Sequence, residues 1–296
     1  MHFTLPILLF SLTASSLPEN PPSHQNSNTA HKKSLSSKSK PDSQHQPKYF
    51  HEAGGTLELG HYDARFFQGV VPYAEHGPAL QRLIRSWLTT THELGVDTWL
   101  AHGTLLGWWW NGRVMPWDYD LDVQMPTATL SYLGRHFNRT LHDYRFIVEG
   151  GQGGGERIIA GGGGADTGNG DRDRDRDTGI DDGPGPIAYI NKTYLLDVNP
   201  HHADLARGNG ANIIDARWID TGTGLFIDIT GLAERDAAGA PGVWSCKNAH
   251  RYRTREIYPV RRTEFEGVPA RVPYAFDKIL TDEYGAKSLV NTEWAG

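Results

Sequence analysis

The chain has 296 residues, a formal charge of −6 and one cysteine, Cys246. That length fits one or two domains. A single cysteine excludes an intrachain disulfide and a cysteine-rich zinc site, and no basic block reads as a nucleic-acid footprint. The negative charge is concentrated, because the span from Asp166 to Asp182 holds seven Asp and three Arg while the remainder is nearly neutral. Cys246 reads most simply as a small core residue.

Residues 3–12 are apolar but far short of the roughly 20 residues that a membrane span needs. Small residues follow at 13–16, so 1–17 is expected to be a secretory signal peptide, although only His2 stands where a basic region belongs. Sequons at Asn138 and Asn191 are compatible with that route. Residues 18–48 are rich in Ser, Pro, His, Gln and Lys, cannot bury a core and are expected to be a disordered linker. A single domain is expected over 49–296. Its lead-in, 48–73, is mixed: His61, Asp63 and Arg65 could reach a substrate, or could be surface charges on a packed segment.

Residues 78–93 carry Leu80, Leu83, Ile84, Trp87 and Leu88 at helical spacing, with Gly77-Pro78 before and Gly95 after, which predicts a helix with a core-facing stripe. A buried strand is predicted over 96–101, a helix over 103–110, and a second helix over 127–139 with Thr127 as N-cap. A strand is expected over 144–148. Residues 150–186, a glycine run followed by Asp-Arg repeats, read as a disordered insertion in a surface loop. Structure resumes at 187–190 and 194–200. Strands at 213–219 and 225–229, joined by Thr221-Gly222-Thr223-Gly224, predict a hairpin. Residues 276–284 predict a closing helix ended by Gly285.

The stretch that carries chemistry is 101–125. His102-Gly103-Thr104 follows the apolar run 98–101, and Pro116-Trp117 leads into Asp118-Tyr119-Asp120-Leu121-Asp122. On a strand, alternate residues share a face, so three carboxylates would converge and repel unless a cation sat among them. Asp228, a lone charge inside the apolar run 225–229, needs a partner of its own. A Gly-Thr turn opening a helix, an Asp-x-Asp pair and a third carboxylate on a neighbouring strand make a coherent site. Carboxylates hold Mg²⁺ or Mn²⁺, the ions clamp donor phosphates through an in-line displacement, and a helix N-terminus receives phosphate.

Gly103-Thr104-Leu105-Leu106-Gly107 followed by 116–122 closely resembles the LicD family, which includes bacterial phosphocholine transferases, fukutin and fukutin-related protein, and fungal proteins linked to mannosylphosphate transfer. The blocks 194–200, 213–219, 224–232, 244–252 and 265–274 look like the fungal branch. The resemblance implies an α+β fold, a nucleotidyltransferase-like mixed sheet flanked by helices. It implies Asp120, Asp122 and Asp228 as metal ligands and Asp118 as a ligand or base. Bacterial members carry Arg where this chain has Trp110, and Asp where it has Tyr119; Arg113 is the candidate replacement for the phosphate contact.

His102 and His250 are candidates for acid–base work or phosphate contact, beside an equally plain hydrogen-bonded role. Arg261 and Arg262 are candidates for a donor diphosphate, and Gly103 and Thr104 for phosphate itself. Of Trp108, Trp109 and Trp110, one could stack on a sugar or base while packing takes the others. The leading expectation is transfer of a phospho-sugar or phospho-alcohol from a nucleotide-diphosphate donor to a glycan hydroxyl. The resemblance suggests mannose phosphate from GDP-mannose, in the Golgi lumen or at the cell surface, with peripheral membrane association. The rivals are an Asp-x-Asp sugar transferase forming a plain glycosidic bond, and a non-catalytic accessory or glycan-binding protein.

Overall fold

In the computed structural model, which describes residues 47–149, 156–160, 187–205, 207, 212–248 and 250–290, the predicted stripe forms the buried side of helix α1 (Tyr73–Glu93). Leu80, Leu83, Ile84, Trp87 and Leu88 are each at most 2% exposed, and each such burial contributes about 1.5–3 kcal/mol. The helix begins earlier than Gly77-Pro78. Pro72 takes the N-cap position and Pro78 lies inside, near the start, where its missing N–H forfeits a single bond. Packing holds the extra turn, because His76 is buried with its ring 5.1 Å from that of Tyr119. The expected signal peptide and nearly all of the linker lie outside the described residues.

Seven strands form one mixed sheet: β1 (Trp99–Leu100), β2 (Asp122–Pro126), β3 (Thr140–Glu149), β4 (Glu156–Ala160), β5 (Ile187–Val198), β6 (Ala216–Asp220) and β7 (Phe226–Leu232), in the order β1-β2-β7-β6-β5-β3-β4. Only β2 and β7 run parallel, so the chain makes a long excursion between them and returns beside its starting strand. The predicted hairpin is β6–β7, antiparallel. The C-terminal part adds two small sheets, β8 (Val243–Ser245) with β9 (Arg251–Arg253) and β10 (Arg261–Phe265) with β11 (Val268–Val272). The remaining helices are α2 (His102–Asn111), α3 (Thr127–His136), the short α4 (Thr254–Ile257) and α5 (Phe276–Tyr284), which Gly285 ends as expected. This is the expected α+β architecture. Among the described residues no helix is long and apolar enough to cross a membrane.

Four expectations change in detail. Residues 187–198 form one continuous strand, because the Asn191-Lys192-Thr193 break pairs with β3 throughout. Part of the 150–186 insertion is structured: β4 pairs with β3, and Glu156 bonds Arg82 and Arg85 of α1, which ties it to the core; the rest of the insertion lies outside the described residues. Thr127 is not a capping residue: Pro126 holds the N-cap and the buried Thr127 hydroxyl has no hydrogen-bond partner. Of the 96–101 strand, only Trp99 and Leu100 pair, with Gln124 and Val123.

The sheet's two faces differ in chemistry. Trp218, Ile227, Leu196 and Val198 face α1 and α3: Trp218 packs at 5.7 Å from Trp87 and donates its indole N–H to Ser86, and Gly134 of α3 lies against Val198. Alternation sends Asp197, Arg217, Asp228 and Asp122 to the opposite face. There they meet the lead-in 47–67, which packs against this face through Asp63 and Arg65 while His61 lies beside Asp120. Asp63 is 1% exposed and receives Nε and Nη2 of Arg65 at 2.8 and 2.9 Å, while Arg65 also binds Asp197.

Candidate functional site

The site begins where β1 gives way to α2. The Ala101 N–H donates to the Asp122 carbonyl at 3.1 Å, which pins the helix start to β2. His102 opens α2 with φ of +50°, a conformation that costs a non-glycine residue about 1–3 kcal/mol and persists where surrounding contacts impose it. Thr104 is buried, and its hydroxyl accepts the Asp122 N–H at 2.9 Å. That hydroxyl therefore positions an acidic residue. A Cβ on Gly103 would stand 3.4 Å from Oδ2 of Asp118, so that carboxyl lies against the helix start. A Cβ on Gly107 would stand 2.6 Å from the Arg113 carbonyl, which is why the return toward Asp118 needs glycine there.

Asp122 and Asp228 are direct partners in the parallel register of β2 and β7, and the Asp228 N–H bonds the Leu121 carbonyl at 2.9 Å. Two strands distant in sequence thus present carboxylates side by side. Of the three clustered aspartates Asp118, Asp120 and Asp122, only Asp122 lies on a strand. Asp118 and Asp120 belong to the non-regular segment before it, so their shared direction comes from that segment rather than from strand alternation.

The electrostatics are those of crowded acids. Burial, then the Asp120 and Asp122 carboxylates, push the Asp118 carboxyl up to about 9. Burial and Asp120 raise Asp122 well above the carboxylate range, with His102 working the other way. Burial also raises Asp228, against the pull of Arg217, whose Nε donates to Oδ1 at 2.9 Å and leaves Oδ2 for another partner. His61 lies 3.8 Å from Asp120 and stacks near Tyr119. This oxygen-rich, under-neutralised set has the ligand chemistry for a hard divalent cation, though the oxygens of Asp120, Asp122 and Asp228 are not all within 4.8 Å of one another in this structure.

His102 meets both this set and a second group. Its Nδ1 lies 3.0 Å from Oε2 of Glu283 on α5, and its ring centroid lies 4.5 Å from that of His250. Burial opposes charge on the imidazole, but the Glu283 bond and the Asp122, Glu283 and Asp120 charges outweigh it and hold His102 protonated up to about 9. Burial and His102 lower His250. Gln124 links the two regions, with its amide 3.4 Å from both His102 and the Tyr252 hydroxyl.

The structure brings Asp118, Asp120, Asp122, Asp228, His102, Gly103 and Thr104 together, with His250 behind His102. No hydrogen bond, ion pair or ring contact among the described residues joins Arg113, Arg261 or Arg262 to the carboxylates. Arg113 is exposed, and Arg261 lies over the rings of Tyr274 and Phe276 at 4.5 and 5.4 Å. The three tryptophans spend their indole N–H groups on Thr263, Leu289 and Ser288, which locks α2 to the C-terminal part. Sequence reading singled out His61 as a residue that could reach the site but missed Glu283, Gln124, Tyr252 and Arg217. Arg217 carried a usable signal, since a charge inside an apolar strand was the mark that singled out Asp228. Glu283 carried none, because a helix-borne acid reads as solvated.

Residues 95–150 match a family model described as LicD/FKTN/FKRP, nucleotidyltransferase domain. Over 199 residues the chain is 35% identical to Mannosyltransferase regulator 4 of Saccharomyces cerevisiae, covering 65% of this chain and 13% of that protein. Over 202 residues it is 34% identical to Mannosyltransferase regulator 14 of the same yeast, covering 65% of this chain and 17% of that protein. The chain thus spans less than a fifth of either relative. The matched stretch runs from the approach to β1, through the α2 start and the three aspartates, into β3, and over it the chain is similar to the LicD-family nucleotidyltransferase domain.

Proposed function

We propose that this chain is a metal-dependent phosphotransferase that moves a phospho-sugar or phospho-alcohol from a nucleotide-diphosphate donor to a glycan hydroxyl. The observation that carries this reading is the in-register pair Asp122 and Asp228 on parallel strands, beside Asp118, Asp120 and the start of α2. Mg²⁺ or Mn²⁺ at Asp120, Asp122 and Asp228 would neutralise donor phosphates and the oxygens of the displacement. The protein's own groups supply the rest. Gly103 offers backbone at a helix N-terminus, and Thr104 fixes Asp122. His102, protonated at neutral pH, serves as a cationic donor rather than as a base. Asp118 is the group that can take the acceptor's proton once a cation draws its own proton away.

The names of the yeast relatives favour a setting in mannosyl-glycan modification; within that setting this reading takes mannose phosphate as the transferred group, GDP-mannose as the donor and the secretory pathway as the compartment. They favour a second reading too, since both are called regulators: a domain that binds donor or glycan and acts on a partner transferase. Incubating the purified chain with nucleotide-diphosphate sugars, a mannose-rich acceptor and Mg²⁺ or Mn²⁺ separates the readings. Release of nucleoside monophosphate with a phosphodiester product supports phosphotransfer. Release of nucleoside diphosphate points to plain sugar transfer, and binding without turnover points to the regulatory role.

A further inference from the structure

We propose that His102, His250 and Glu283 form a second, nitrogen-containing metal site for a first-row transition ion, with Zn²⁺ foremost, separate from the all-carboxylate site. The inference rests on ligand geometry and does not depend on the phosphotransfer reading; zinc would displace the proton that His102 holds in the metal-free chain, so in the loaded state His102 is a ligand and not a cationic donor. One ligating atom from each residue lies within 4.8 Å of the other two, and all three residues are half-buried. They come from three separate elements: the first residue of α2, the residue before β9 and the last turn of α5.

The His102–Glu283 spacing fits a shared ion. Two ligands held at about 2.0–2.2 Å on one tetrahedral Zn²⁺ stand roughly 3.3–3.6 Å apart, and Nδ1 of His102 lies 3.0 Å from Oε2 of Glu283, so these two atoms need separate by only a few tenths of an ångström to admit the ion. The widest spacing, up to 4.8 Å, closes with a movement of about 1 Å by one side chain, given those bond lengths. His250 is oriented for the task. Its Nδ1 lies 3.4 Å from Sγ of Cys246, the kind of outer contact that fixes which ring nitrogen faces a metal, and Nε2 is its other ring nitrogen. Oε1 of Glu283 takes the Tyr252 hydroxyl at 3.2 Å, which leaves Oε2 as the inward oxygen.

Two imidazoles and a carboxylate select a different ion from three aspartates. Imidazole suits Zn²⁺ and its neighbours in the series, whereas all-oxygen sets suit Mg²⁺ and Mn²⁺. The site also has a structural consequence. Neither α5 nor β9 belongs to the seven-stranded sheet, so an ion held by all three residues would staple both to the start of α2. The positive φ of His102 is then explained as the conformation that turns its ring toward α5.

The test uses the full chain carrying Asp120→Asn and Asp228→Asn, which disables the oxygen site. The protein is stripped with chelator, loaded with Zn²⁺ and dialysed. We expect one Zn²⁺ retained per chain, an X-ray absorption spectrum with two imidazoles in the zinc shell, and a higher melting temperature with zinc than without. Adding His250→Ala or Glu283→Gln is expected to weaken zinc retention by at least about tenfold. No retained zinc, a shell of oxygens alone, or retention unchanged by both added substitutions overturns the proposal. The spectrum is read on protein whose second site is intact, so a misfolded His250→Ala variant cannot decide the matter. None of these readouts involves turnover, so loss of the phosphotransfer reading would leave the result standing.

Discussion

One face of the sheet carries two clusters of acids that differ in what neutralises them. In the first, Glu52, Asp63 and Asp197 meet Lys48, Arg65 and Arg217 through short, directed bonds. Arg217, 1% exposed, also lies 3.6 Å from the centre of the Phe226 ring. In the second, among the described residues, Asp118, Asp120 and Asp122 have the imidazoles of His61 and His102 nearby and no Lys or Arg ion pair. The sequence builds both from the same residue types. The partnered cluster is closed and structural, whereas the under-neutralised one keeps oxygen lone pairs for something the chain does not supply. Asp228 stands at the border, with one oxygen on Arg217 and the other toward the open cluster.

The sharpest way to break the contrast is Arg217→Met. Removing the cation leaves Asp228 without its ion-pair partner and strips Glu52 and Asp63 of one of their two cations in a buried setting, and a cost of about 3–5 kcal/mol is expected in urea denaturation. A loss under about 1 kcal/mol would show that the first cluster is not held by its arginine. Asp122→Asn tests the other side. Donor turnover should fall about 10²–10³-fold, while the melting temperature stays level or rises, because a buried acid crowded against Asp120 and Asp228 has gone. Falling stability with turnover intact would exchange the roles of the two clusters.

A milder test is the pH profile of stability in chelator. The folded Asp118 carboxyl holds its proton to about 9, against an ordinary 3.8, so between those values the folded state keeps a proton that the unfolded state releases. Its stabilising contribution is complete below about pH 4 and is lost as pH rises through 9. His102, raised from 6.5 to about 9, acts in the same direction. The melting temperature should therefore decline from pH 6 to 9, and Asp118→Asn should flatten the decline. A wild-type profile that is already flat would contradict the crowding. The smallest expected effect is Trp110→Phe, which removes the indole bond to the Ser288 carbonyl and should cost about 0.5–1.5 kcal/mol with turnover unchanged. A matching loss of turnover would make that tryptophan a substrate contact.

Local patterns made much of this legible. The stripe of α1, the β6–β7 hairpin, α5 with its terminal Gly285 and the family of the 101–125 stretch could all be read because each depends on neighbours in sequence. Asp228 was legible as a charge in an apolar strand. The pairing of Asp122 with Asp228 was not derivable from spacing, since parallel register between distant strands is set by the packing of the whole sheet. Glu283 was hidden for a related reason. On α5 it looks like any solvated acid, and only the docking of that helix against α2 brings it to His102. The tryptophan run was read as partly functional, but its three indole bonds all go to the C-terminal part.

The parallel β2–β7 pair has a practical consequence. Asp122 lies before the excursion through β3, β4 and β5, and Asp228 lies after it. A cut within 161–186 would yield two fragments, each with one of the two carboxylates and neither with a complete site. Ten residue pairs between β3 and β5 are available to rejoin them. Co-expressed halves should therefore regain donor turnover only when they associate, which would make the chain a ready-made split reporter whose signal is the reunion of its own sheet.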